Sequence, residues 1–140
     1  MNLAMEMHDS GVLEVSRGGD GTGFVLFHGS VFRSSGIPAQ DPSESGWQNV
    51  RMRFTGMTIE GLPYEPDAYV SDGDLTVNGV RFDNMIPFSA SNHGEVCLSM
   101  RVAYDFEIRT IRGTGIAIDA EGEFEVETIW DGNGNRTTVG

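Results

Sequence analysis

The chain has 140 residues, with 21 acidic and 9 basic side chains and a formal net charge of −12. All nine basic residues are arginine, which excludes a Schiff-base or catalytic lysine and the P-loop; the acidic balance argues against nucleic acid or an anionic membrane surface as partner. A hydrophobic share of 39%, a single cysteine and no apolar run near the roughly 20 residues of a membrane span describe one globular domain over 1–140, with no internal disulfide.

Hydrophobic residues recur with period 2 almost throughout, the signature of strands. Residues 11–17 read as an edge strand with Leu13 and Val15 inward, and Arg17 to Gly23 as a glycine-rich turn. Residues 23–33 are apolar on both parities (Phe24, Val25, Leu26, Phe27). That predicts a strand covered on both sides, with His28 as a hydrogen-bonded core histidine and Gly29 as a bulge. Residues 34–48 are polar and rich in Ser, Pro and Gly, and read as an irregular loop. Residues 49–61 alternate as Val50, Met52 and Phe54, then shift parity at Thr55-Gly56 to Met57 and Ile59, which marks a bulge or tight turn. Residues 62–73 form a second irregular stretch.

Asn78-Gly79 suits a type I′ turn because both residues tolerate positive φ. The register it sets pairs Val77 with Val80 and Leu75 with Phe82, and places Asp74 opposite Asp83. Residues 95–109 carry Val96, Leu98, Met100, Val102, Tyr104, Phe106 and Ile108 on one parity. The run is one long bent strand, or two strands joined near Ala103-Tyr104-Asp105. Residues 114–128 read as a second hairpin, with a loop at Ala120-Glu121-Gly122. That register sets Ile118 against Phe124, Ile116 against Val126 and Asp119 against Glu123. With no helical pattern and roughly seven to ten short strands, the expected fold is an all-β antiparallel barrel or sandwich. It is similar in architecture to lipocalin-like binders and barrel-shaped cyclases, a likeness that assigns no residue a role.

Asp131, Asn133 and Asn135 have the spacing that opens a calcium loop, but Arg136 replaces the glycine that should follow, and no metal site is expected. Gly18 to Gly23 leads into a strand rather than a helix, so it is a hairpin loop and not a phosphate cradle. Glu121, Glu123, Glu125 and Glu127 share one face and read as a solvated charged edge. His93 precedes Cys97 by four residues, but Cys97 falls on the polar parity of a strand with nothing to activate it. Trp47, Tyr64 and Tyr69 flank or sit in the two irregular stretches. With His93 they are the expected ligand contacts, because an aromatic with a polar tip suits the mouth of a barrel.

The expected function is a binding module for an apolar small molecule or a protein partner, without a cofactor and more a binder than an enzyme. The alternatives are a barrel-type cyclase or isomerase acting on a hydrophobic molecule, and an acidic inhibitor or immunity-type protein for a basic partner. The N-terminus has neither a basic n-region nor an apolar h-region, so a cytoplasmic location is expected. Open sheet edges leave homo-oligomerisation as a further expectation.

Overall fold

A computed structural model describes residues 1–61, 68–103, 107–130 and 136–138, the positions 130 and 136–138 as backbone only. All its strands belong to one antiparallel sheet. They are β1 (Asn2–Arg17), β2 (Gly23–Ser34), β3 (Ser43–Thr55), β4 (Thr58–Glu60), β5 (Ala68–Val77), β6 (Val80–Asp83), β7 (Met85–Pro87), β8 (Asn92–Val102), β9 (Ile108–Trp130) and β10 (Arg136–Thr138). A single 3-10 turn covers Phe88–Ala90. Among the described residues no helix is long and apolar enough to cross a membrane.

The sheet closes on itself. Strands pair in the circuit β1–β2–β3–β9–β8–β5, and β5 returns to β1 through Gly11 opposite Tyr69 and Val12 opposite Ala68. Closure removes the two edges that an open sheet would expose. The alternation read from the sequence supplies the filling. Val25, Phe27 and Val31 of β2, Val50, Met52 and Phe54 of β3, and Leu98 and Met100 of β8 are all at most 1% exposed. Side chains from facing strands thus pack the barrel interior.

Several sequence expectations need correction. β1 is not an edge strand: it pairs with β2, β5 and β7, and over residues 11–17 Val12 is buried and Val15 packs against the core as expected, while Leu13 faces out. β2 is buried on one face only. Phe24, Leu26 and Phe32 are half-covered on the other, and His28 is exposed there rather than in the core. The bulge lies in β1, not at Gly29. Residues 7–10 stand against Gly29 alone, and a Cβ on Gly29 would come within 3.1 Å of Met5 Sδ and 3.2 Å of Ser10 Cβ. The glycine therefore makes room for the bulge of its neighbour. Residues 43–48 and 68–73, expected to be irregular, are strand, so Trp47 lies in β3 and Tyr69 in β5.

The first hairpin forms in the expected register, with Asn78 and Gly79 at φ 50° and 82°. Between β8 and β9 the chain turns, and the parity inverts: Arg101 pairs with Ile108 and Met100 with Arg109. Ile108 consequently faces out, while Arg109 is buried. The second hairpin does not form. Residues 108–130 run as one strand, its 115–130 stretch along β3, with Ile118 opposite Met52 and Ile116 opposite Phe54. Gly122, at φ 76°, serves a bulge within β9 instead of a loop.

The β1–β5 seam has few backbone pairs and is reinforced by the bulge. Met7 N–H donates to Asn84 O, His8 N–H to Asn84 Oδ1, and His8 Nδ1–H to Ser71 O at 2.7 Å. The Ser71 carbonyl, then the Asp9 carboxylate, raise the His8 pKa above its ordinary 6.5, with smaller contributions from Glu6 and Asp72. A raised folded-state pKa stabilises the fold below the unfolded value, and that contribution disappears as pH rises through the folded value. Melting curves of the wild type and His8→Gln should therefore differ most below pH ~6.5 and converge above it. A gap that widens with rising pH contradicts this role.

Candidate functional site

One end of the barrel carries a cleft of about 680 Å³. Its floor follows one row of register partners across four strands: Gly23 of β2, Phe54 of β3, Ile116 of β9 and Asn92 of β8. On one side lies the row Phe24, Arg53 and Ala117; on the other, Thr55, Gly115 and His93. These residues come together at the cleft because their strands are held in this register.

The concavity has local causes. A Cβ at position 115 would lie 2.6 Å from Thr55 Oγ1 and 3.6 Å from His93 Nδ1, so the glycine keeps β9 close to β3 and leaves the space beside the imidazole open. Ser91 ties the end of the barrel together: its Oγ accepts from Ile118 N–H at 2.9 Å and donates to Phe88 O at 2.8 Å. Asn92 Oδ1 accepts from His93 N–H, which fixes the turn that presents the imidazole.

The apolar side chains open to the cleft are Phe24 and Ala117, while Phe54 and Ile116, at most 5% exposed, turn into the barrel core and line it from beneath. The ionisable residues lining the cleft are Arg53 and His93, and no carboxylate lines it. Arg53 reaches the Asp119 carboxylate through Nη1, with Glu121 Oε2 3.9 Å from Nη2. Next to it, Arg51 makes a two-pronged contact with Glu121 and lies over the Phe24 ring at 4.1 Å. Its hydrogen bond holds the Glu121 carboxyl below the ordinary carboxylate range, and the Arg51 pKa is raised in return. The second hairpin would have set Asp119 against Glu123; instead Asp119 is the register partner of Arg51.

Of the expected ligand contacts, the cleft contains His93. Trp47 lies elsewhere on the outer surface, stacked on His28 with ring centroids 5.6 Å apart, and His28 Nδ1 lies 2.8 Å from Asn49 Oδ1. Tyr69 is 56% exposed on β5. Tyr64 and the Asp131–Asn135 motif lie outside the described residues. Cys97 is half-buried on β8, in a different register row from His93 and beyond a bulge, with Ser99 Oγ at 3.9 Å. Gly18 to Gly23 is the hairpin loop joining β1 and β2, where Asp20 Oδ1 accepts from Thr22 N–H and Oγ1–H. Glu121 is engaged by arginine, whereas Glu123, Glu125 and Glu127 are exposed. Among the described residues no group of three or more His, Cys, Asp or Glu side chains is placed to hold a metal ion.

Sequence reasoning missed Phe24, Arg53, Phe54, Asn92 and Ile116. Their only signal was strand periodicity, which they share with every other strand residue. In comparisons with known proteins, the chain matches no family model, no curated protein and no solved structure.

Because the folded pKa of Glu121 is depressed, its contribution is present above the unfolded carboxylate value and is lost as pH falls through the folded value. Glu121→Gln should lower the melting temperature at neutral pH, and the gap to the wild type should close on acidification below pH ~4. A gap independent of pH would contradict the Arg51 contact.

Proposed function

We propose that the chain is a binding module that takes an apolar small molecule in the cleft across β2, β3, β9 and β8. The observation that carries this is the cleft itself, about 680 Å³ in volume, with Phe24 and Ala117 open to it over a floor backed by the buried Phe54 and Ile116, and a few polar groups at its rim. Small-molecule sites have this size and this mixture of apolar wall and sparse polar groups. The barrel interior offers no comparable reading, because its inward side chains pack against one another. Within the cleft, His93 has no second proton-transfer group among the lining residues to work with, which favours binding over cyclisation or isomerisation.

Phenylnaphthylamine, an uncharged dye that brightens on leaving water, tests this directly. The wild type should bind it saturably. Ala117 is exposed, so Ala117→Trp fills the cleft without disturbing the core. It should weaken binding at least about tenfold, or 1.4 kcal/mol, with an unchanged melting temperature. Absence of saturable binding to the wild type, or binding untouched by Ala117→Trp, would overturn the proposal.

A further inference from the structure

The charge pattern around the cleft narrows the ligand class. The chain has 21 acidic residues and a net charge of −12, yet none of its carboxylates lines the cleft. The contrast with a second groove is sharp. That groove, about 350 Å³ in volume, is lined by Asp72, Asp74 and Asp83 together with Arg81 and Arg101. A third groove, near the N-terminus, is lined by Met1, Leu3, Ile37, Pro38 and Phe88 and has no ionisable side chain in its wall. Of these three, the cleft is the one that pairs apolar lining with Arg53 and His93 as its ionisable side chains and has no carboxylate.

Three donors face it. Arg53 is about half exposed and carries five N–H groups, of which the contact with Asp119 uses one. The His93 ring has no hydrogen-bond partner among the described residues. Asn92 spends its Oδ1 on the His93 N–H, which leaves its amide N–H groups for a ligand. Phe24 and Ala117, in the same register row as Arg53, supply apolar lining beside these donors. An anion with an apolar body fits this set: the body on the aromatic and aliphatic wall, the anionic end between the guanidinium and the imidazole. A guanidinium suits a carboxylate or sulfonate because its N–H groups form a planar fork.

We infer that the cleft is selective for small amphipathic anions, aromatic or alicyclic molecules that bear one carboxylate or sulfonate. The inference rests on the binding proposal above and adds the charge of the ligand. The net charge makes it a demanding one. At long range the protein repels an anion, so a preference for one arises only from groups at the cleft.

The test pairs two dyes with the same ring system: uncharged phenylnaphthylamine and its sulfonated form, anilinonaphthalene sulfonate. The wild type should bind the sulfonate about tenfold more tightly than the uncharged dye. Arg53→Gln and His93→Gln should each reduce that ratio, and the double variant should bring it to one, because each weakens sulfonate binding more than binding of the uncharged dye. Asp119→Asn removes the carboxylate that competes for Arg53 and should raise the sulfonate affinity. This arm also decides the question if Arg53→Gln fails to fold. Equal affinity for both dyes in the wild type, a ratio that survives the double variant, or an Asp119→Asn protein with weaker sulfonate binding overturns the anion selectivity while leaving the binding proposal standing. If neither dye binds the wild type, the binding proposal itself falls.

Discussion

The register between β3 and β9 is the constraint on which the rest of this structure depends. Met52 opposite Ile118 and Phe54 opposite Ile116 send four apolar side chains to the inside of the barrel. A slip of one residue would turn all of them outward and bring Arg51, Arg53 and Asp119 into the core. Burying unpaired charges costs several kcal/mol each, so the pairing is held from both sides of the sheet. The same register places Phe54, Ile116 and Ala117 side by side, and so builds the cleft.

Arginine is what makes so acidic a surface compatible with close strand pairing. Asp74 and Asp83 do face one another across the first hairpin, an unfavourable arrangement for bare carboxylates. Arg81 spans them, with Nε 2.5 Å from Asp74 and Nη2 3.5 Å from Asp83. On β3, Arg51 and Arg53 do the same for Glu121 and Asp119. A forked guanidinium serves two carboxylates more readily than an ammonium point charge, which gives a physical sense to a chain whose basic residues are all arginine. Arginine also covers aromatic surface: Arg33 lies 3.6 Å over the Phe124 ring and Arg51 lies over Phe24. The outward Phe24 is thereby shielded from water, and the Phe124 ring, which packs against the core, is covered on its other side.

The inward residues of β3 and β8 were legible in the sequence because period 2 reports which face is buried, whereas the apolar residues on both parities of β2 hid which of its faces is inward. The Asn78-Gly79 hairpin was legible because positive φ at two successive residues restricts both composition and register. What local pattern does not encode is which strand pairs with which. Gly122 has the positive φ of a hairpin loop, but a bulge needs the same conformation, and only the length of β3 alongside decides between them. The parity inversion between Met100 and Arg109 was equally hidden, since no glycine or asparagine marks that turn. His93 was singled out for its chemistry and does line the cleft. Trp47 and Tyr69 were singled out because the stretches 34–48 and 62–73 looked irregular; 35–42 is indeed loop, but both aromatics stand in the parts, 43–48 and 68–73, that are strand. Arg53 and Ile116 carry no signal of their own; they meet only because two strands, distant in sequence, are in register.

That register is open to direct measurement by nuclear Overhauser contacts between backbone protons. A continuous β9 predicts cross-strand contacts linking Arg51 with Asp119, Met52 with Ile118 and Arg53 with Ala117. Contacts linking Ile118 with Phe124 and Ile116 with Val126, across a loop at Ala120-Glu121-Gly122, would contradict it and dissolve the cleft together with the barrel.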